Sequence, residues 1–211
     1  MQTTDLIERL AVDFRPTLAR VQLLGTVVTV GAVLALGLLW TLVGLRADLI
    51  AVLSTPEFWM KAGFTLSTAA AAFVLCARLS RPEGTPGWWP VGLALPFLAL
   101  VAFACVEMWA APPHLRQVMW VGQTALQCVW CIPVLAAPLL IGVLWAFRFF
   151  APTRLRLAGF SGGLLAGATS AVIYALHCAE REPAFVATWY SAGILLPALL
   201  GWLFGPRVLR W

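Results

Sequence analysis

Charge is scarce in this chain: Asp, Glu, Lys and Arg together make up 11% of 211 residues. A soluble globular domain carries about 25%, so an ordinary water-facing surface is excluded. Acids number nine, and the long apolar stretches are nearly free of them. Glu107, toward the edge of its stretch, is the only acid near one. Ion transport through a membrane interior needs ionisable groups along the path, and that class is disfavoured. Alternation of apolar and polar residues is missing, which argues against a β-barrel. The single Cys-x-x-Cys, Cys128 to Cys131, has no strand–helix–strand setting, so a thioredoxin-like motif is excluded. The glycines Gly159, Gly162, Gly163 and Gly167 are not followed by Lys-Ser/Thr and form no phosphate loop. Small residues at that spacing suit close helix packing.

What the chain has is apolar sequence. Hydrophobic residues reach 62%, and the mean hydropathy is +0.90. Six runs emerge: Leu23 to Leu45, Lys61 to Leu79, Trp89 to Ala110, Cys131 to Phe150, Leu157 to Leu176, and Thr188 to Phe204. Each is near the ~20 residues that cross a bilayer as a helix, and only helices satisfy the backbone of a single span in lipid. The expectation is an all-α, polytopic membrane bundle of six transmembrane helices. The first run is too long for the apolar region of a cleaved signal peptide, and about 22 residues precede it, so it reads as a membrane helix.

Basic residues orient the bundle. With the N-terminus in the cytoplasm, ten of the 14 basic residues face inward: Arg9, Arg15, Arg20, Arg78, Arg81, Arg148, Arg154, Arg156, Arg207 and Arg210. Arg46, Lys61, Arg116 and Arg181 face outward. Short loops place positive charge in the cytoplasm, so both termini are expected there. The +5 net charge thus reflects topology. Its arginines are scattered over four segments, which does not suit nucleic-acid binding. Trp88, Trp89, Trp109, Trp120, Trp130, Trp189 and Trp211 fall at run ends as an interfacial belt, which calls for no cofactor. The expected division is a cytoplasmic tail over 1–22, a membrane domain over 23–206 and a basic tail over 207–211.

The N-terminal tail carries one amphipathic pattern. Asp5 can cap a helix with Glu8 reaching back. Leu6, Ile7, Leu10 and Phe14 then share a face opposite Glu8, Arg9 and Asp13, and Pro16 ends the run. A helix this short needs a surface to bury its apolar side. Membrane lipid is one candidate, and a groove on a soluble partner is the other.

Five cysteines complete the inventory. Cys76 and Cys105 read as packed thiols. Cys131 and Cys178 lie almost equally far from the inner turn at Arg154, 23 residues before it and 24 after, so both reach the outer rim of one helical hairpin. Cys128 is one turn further out, on the face of Cys131. Cys178 can therefore meet either. Such a bridge would pin two helices, whereas a Cys128–Cys131 bridge would constrain one turn. Cys128, Cys178 and His177 are also candidate soft-metal ligands.

Several stretches carry a family resemblance. Thr4-Asp5-Leu6-Ile7-Glu8-Arg9-Leu10-Ala11-Val12-Asp13 with Arg15-Pro16 resembles the opening of the NrsF family. Gly44-Leu45-Arg46-Ala47-Asp48-Leu49 with Pro56-Glu57-Phe58-Trp59 is similar to that family's first outer loop, and Gly205-Pro206-Arg207-Val208-Leu209-Arg210-Trp211 to its ending. The resemblance implies a six-helix anti-sigma factor of a bacterial inner membrane. Such a protein holds an extracytoplasmic-function sigma factor and releases it under oxidant or heavy-metal stress. It further implies a periplasmic cysteine pair, with Cys178 as one member, Cys128 as the best match for the other, and Cys131 as a further candidate. The sigma-binding residues it implies are Asp5, Leu6, Ile7, Glu8, Leu10, Asp13 and Phe14. On this reading the chain is no enzyme and has no cofactor. The alternative is a membrane thiol–disulfide oxidoreductase coupled to quinone, which needs two cooperating pairs; Cys105 is a poor fourth member.

The charge distribution yields a direct test of topology. Alkaline phosphatase, active only outside the cytoplasm, is expected to be inactive when fused after Trp211 and active when inserted after Arg116. The opposite pattern would reverse the orientation.

Overall fold

The computed structural model describes residues 16–81 and 84–210. The tail residues Asp5, Leu6, Ile7, Glu8, Leu10, Asp13 and Phe14 lie outside the described residues, as does Trp211. Ten helical segments follow one another without a strand among the described residues: α1 (Pro16–Leu42), α2 (Leu49–Val52), α3 (Pro56–Leu79), α4 (Trp89–Ala110), α5 (Pro113–Val121), α6 (Ala125–Phe150), α7 (Leu155–Tyr174), α8 (Pro183–Phe185), a π-helical turn (Val186–Tyr190) and α9 (Ser191–Val208). Six helical stretches among them are long and apolar enough to cross a membrane. The fold is the expected all-α, six-span bundle.

The helices start earlier than the apolar runs suggest. Pro56, Pro113 and Pro183 stand at or next to the first helical positions, where the missing N–H costs nothing. Backbone pairing, not side-chain hydropathy, sets where a helix begins, so polar residues such as Glu57 and Gln127 are helical. Two consequences matter. Lys61 sits more than a turn inside α3, and Cys128 lies within α6 rather than ahead of it. The stretch between the third and fourth apolar runs, 111–130, carries α5 and the start of α6.

α7 is the centre of the bundle. Most of its residues are buried, and it packs on α9, α3, α6 and α1. Gly159, Gly163 and Gly167 recur every four residues, giving one smooth stripe that meets α9. A Cβ at Gly159 would collide with the Gly201 carbonyl, and one at Gly163 with that of Pro197. At Gly167 it would lie 2.6 Å from Ile194 O. Gly162 looks the other way, where a Cβ would come 3.0 Å from Val143 of α6. Without a hydrophobic force between helices in lipid, such close backbone approach supplies the dispersion contacts that hold them. α1 and α6 cross similarly, with Gly31 against Leu139 and Gly142 against Val27. α4 is peripheral: only Leu100 and Ala104 are buried along it.

Cys76 is a packed core thiol, as expected. Cys105 is not: it is exposed on α4, because that helix turns most of its surface away from the bundle. Of the expected belt, Trp88, Trp109, Trp120 and Trp130 are exposed. At the end away from the outer cysteines, Arg78 lies over the Trp89 ring at 5.5 Å and Arg156 over Trp202 at 4.9 Å. These are places where a guanidinium can rest on an aromatic face.

Substitutions in the glycine stripe follow from this packing. Gly163→Leu is expected to abolish a monodisperse, cooperatively melting protein in detergent, and Gly163→Ala to cost about 1–3 kcal/mol by overpacking. Gly25, with nothing within 4 Å of a built Cβ, serves as control. Gly25→Ala is expected to leave the melting temperature unchanged or raise it, since alanine favours helix by about 1 kcal/mol.

Candidate functional site

The thiol end of the bundle is built on the turn after α7. That helix closes at Tyr174, and the chain stays tightly wound: His177 N and Cys178 N both donate to Tyr174 O at 3.0 Å. From Cys178 it runs without regular structure until Pro183. Three anchors fix this segment. Glu180 Oε1 accepts from Gln123 N at 2.8 Å and Thr124 Oγ1 at 3.2 Å, which places a carboxylate at the N-terminal end of α6, where its charge is favoured. Lys61 Nζ reaches across from α3 and donates to Cys178 O at 3.2 Å and to Glu180 O. Arg46 N donates to Leu176 O at 3.5 Å and its Nη1 to Cys178 O at 3.4 Å.

This scaffold sets Cys178 Sγ 3.8 Å from Cys128 Sγ. Both are free thiols, 2% and 0% exposed. Cys128 is also 3.7 Å from Tyr174 Oη and 3.9 Å from Thr124 Oγ1. It belongs to the buried stripe Ala125, Cys128, Ile132, Leu135, Leu139 along α6. Cys131 stands beside that stripe, half-buried at the edge of the core. Of the two α6 cysteines, Cys128 is the one brought against Cys178. The hairpin count had put Cys131 level with Cys178, because it treated the chain beyond the fifth helix as straight.

The lining is aromatic. Tyr174 and Tyr190 are fully buried, their rings 5.9 Å apart. Tyr190 comes from the π-helical turn, which offsets the start of the last span and turns this ring toward the thiols. Its hydroxyl is buried on the side of the Cys178 sulfur. Lys61 Nζ lies 5.3 Å from the Tyr190 ring centre. α5 closes over the outside: Trp120 Nε1 donates to Thr188 Oγ1 at 3.0 Å, and Trp189 Nε1 donates to Trp120 O at 2.9 Å.

Electrostatics distinguish the groups. The Cys178 thiol is held below the ordinary cysteine range by the hydrogen bond from Cys128, with the Lys61 ammonium acting in the same direction against burial. Arg46 grips Asp48 with two bonds of 2.7 and 2.8 Å, and that grip keeps the Asp48 carboxyl below its usual range. Burial raises Glu182, and its carboxylate neighbours Glu107, Glu180 and Glu57 add to the rise.

His177, the third candidate metal ligand, has its Nδ1 at 2.9 Å from Gly44 O. Among the described residues, no three of His, Cys, Asp and Glu gather in a set that could hold a metal ion. The arrangement suits thiol oxidation instead. A disulfide needs about 2.05 Å between sulfurs, so closing this pair takes an approach of somewhat under 2 Å. Burial this deep keeps a protein thiol from reaching either sulfur. The residue missed in the sequence is Lys61, the chain's single lysine. The charge pattern places it only among the outward-facing basic residues, yet it is 3% exposed within α3. The apolar residues Phe58, Trp59 and Met60 just ahead of it, which continue the run on its other side, were the available signal.

No solved structure gives a significant match. A protein named probable anti-sigma-F factor NrsF from Azospira oryzae is 40% identical over the full length of both chains. The anti-sigma-F factor NrsF of Caulobacter vibrioides is 37% identical, again over the whole of both. The family model described as NrsF, negative regulator of sigma F, matches residues 10–211. Nearly the whole chain is thus accounted for by one family, and the protein belongs to the NrsF family.

Proposed function

We propose that this protein is an anti-sigma factor of the bacterial inner membrane that holds an extracytoplasmic-function sigma factor and releases it when its periplasmic thiols are oxidised. The observation that carries the regulatory role is the full-length likeness to proteins named anti-sigma-F factors. The sensing role is supported by the buried contact of Cys128 with Cys178. The charge distribution favours placing that end in the periplasm.

In this account the N-terminal tail, with Asp5, Leu6, Ile7, Glu8, Leu10, Asp13 and Phe14, binds sigma, and its apolar face is covered by the partner. Sequestered sigma is kept from RNA polymerase. The protein itself touches no nucleic acid. A two-electron oxidant joins the two sulfurs and ties the first turn of α6 to the turn after α7. α7 is locked to α9 by its glycine stripe and touches α1, which leads directly from the tail. A shift at the thiol end therefore has a rigid route to the cytoplasmic end.

The energetics bound the switch. Moving a population from 1:99 to 99:1 takes about 5.5 kcal/mol, whereas a disulfide contributes about 2–4 kcal/mol. A change near 3 kcal/mol carries a population from roughly 7:93 to 93:7, so the resting bias toward the sigma-holding form is mild.

Two measurements test this function. Cys128→Ser and Cys178→Ser are each expected to abolish induction of the sigma regulon by peroxide while leaving unstressed repression in place; undiminished induction removes the thiols as sensors. Deleting residues 2–15 is expected to move a sigma factor from the membrane to the soluble fraction, identified by mass spectrometry. Retention of that sigma factor at the membrane places its binding elsewhere.

A further inference from the structure

We propose that Lys61 is the counter-ion of the Cys178 sulfur, and that it thereby makes Cys178 the thiol that meets a hydroperoxide first, with Cys128 as the resolving thiol. This rests on the sensor reading of the pair and assigns the two sulfurs different tasks.

The argument begins with an unbalanced charge. Lys61 is 3% exposed, and a buried ammonium is costly unless it is paired. Among the described residues no carboxylate forms an ion pair with it. Asp48 holds Arg46, and the Glu180 carboxylate caps the start of α6 through Gln123 and Thr124; Glu57, one turn before Lys61 on α3, forms no ion pair with it among the described residues. Lys61 donates instead to the carbonyls of Cys178 and Glu180, with the face of Tyr190 at 5.3 Å. Carbonyls and an aromatic ring solvate a cation but do not neutralise it. The anion available inside this wall is the sulfur of Cys178, carried by the same turn that Lys61 grips. Arg46 also reaches Cys178 O at 3.4 Å, but its charge is already matched by Asp48. Each sulfur has a tyrosine hydroxyl nearby, Tyr190 for Cys178 and Tyr174 for Cys128, but Cys128 sits on α6 beside Thr124 and not on the turn that Lys61 grips.

The chemistry then has an order. The Cys178 thiolate attacks one oxygen of the hydroperoxide; the O–O bond breaks, and the departing alkoxide or hydroxide takes up a proton. Cys178 is left as a sulfenic acid. The Cys128 thiol, in contact with it, attacks that sulfur. An S–S bond forms, the S–O bond breaks, and hydroxide leaves with the Cys128 proton as water. The two thiols supply two electrons, and the hydroperoxide is reduced to an alcohol and water (to two waters for hydrogen peroxide). Afterwards the sulfur carries no charge. Lys61 is then a buried cation with only carbonyls and a ring around it, which disfavours the resting position of α3 against the thiol turn. Loss of this counter-charge adds a push that the covalent bond alone does not provide.

The test uses the purified full-length protein in lipid nanodiscs, with hydrogen peroxide as probe and dimedone as the sulfenic-acid trap. In Cys128→Ser the dimedone adduct is expected on Cys178. In Cys178→Ser, Cys128 is expected to stay unlabelled. Lys61→Met is expected to slow disulfide formation by roughly tenfold or more, because a thiol without its cation is less often a thiolate; Lys61→Arg is expected to restore most of the rate. A wild-type rate in Lys61→Met, or equal labelling of Cys128 in Cys178→Ser, overturns the proposal. The two single-cysteine proteins decide it even if the Lys61→Met protein fails to fold. Induction in cells lacking either thiol separately tests the sensor reading, so failure of one is distinguishable from failure of the other.

Discussion

A buried lysine that forms no ion pair with a carboxylate among the described residues is the constraint around which the thiol end is arranged. Lys61 enters from α3, where lipid depth makes a bare ammonium costly, and it is satisfied only because the chain after α7 turns its carbonyls inward. That turn in turn fixes Cys178. The carboxylate of Glu180 is drawn to the start of α6, and Arg46 holds the same segment from the loop after α1. Three separate parts of the chain thus converge on one short stretch of backbone. The contact between the two sulfurs is a result of that convergence.

Rigidity elsewhere gives the convergence its reach. α7 approaches α9 so closely that no side chain fits between them at Gly159 and Gly163, and it is flanked by α6 on another side. Packed interfaces of this kind do not deform gradually; they move between discrete arrangements. In the proposed switch, a change in charge or bonding at one end of α7 is carried along its length. α4, which buries little, has no such role and stands as the lipid-facing edge, which is also why Cys105 is exposed.

Much of the fold was legible in the residues. Six apolar runs specify six helices, because a chain in lipid has no other way to pair its backbone. The stripe of Gly159, Gly163 and Gly167 announced close packing. The meeting of Cys178 with an α6 cysteine followed from the rise of two antiparallel helices. The choice between Cys128 and Cys131 did not follow. α6 is apolar on every side, so the pattern that marks an inward face in a soluble helix is absent. Lys61 escapes notice for a related reason: hydropathy ends an apolar run at the first charge, whereas the helix begins at Pro56 on backbone grounds.

The sequence by itself determined the class of protein, the number of spans, their close-packed core helix and the hairpin that carries the cysteines. Those properties depend on local hydropathy and on small residues at helical spacing, which need no knowledge of neighbours. Tertiary structure alone decided which sulfur faces Cys178, that His177 turns to the Gly44 carbonyl, and that the single lysine is walled in beside the pair. Each of these depends on how helices rotate about their own axes and on what the connecting turns bring across. In a chain that is apolar on all sides, only packing sets that rotation.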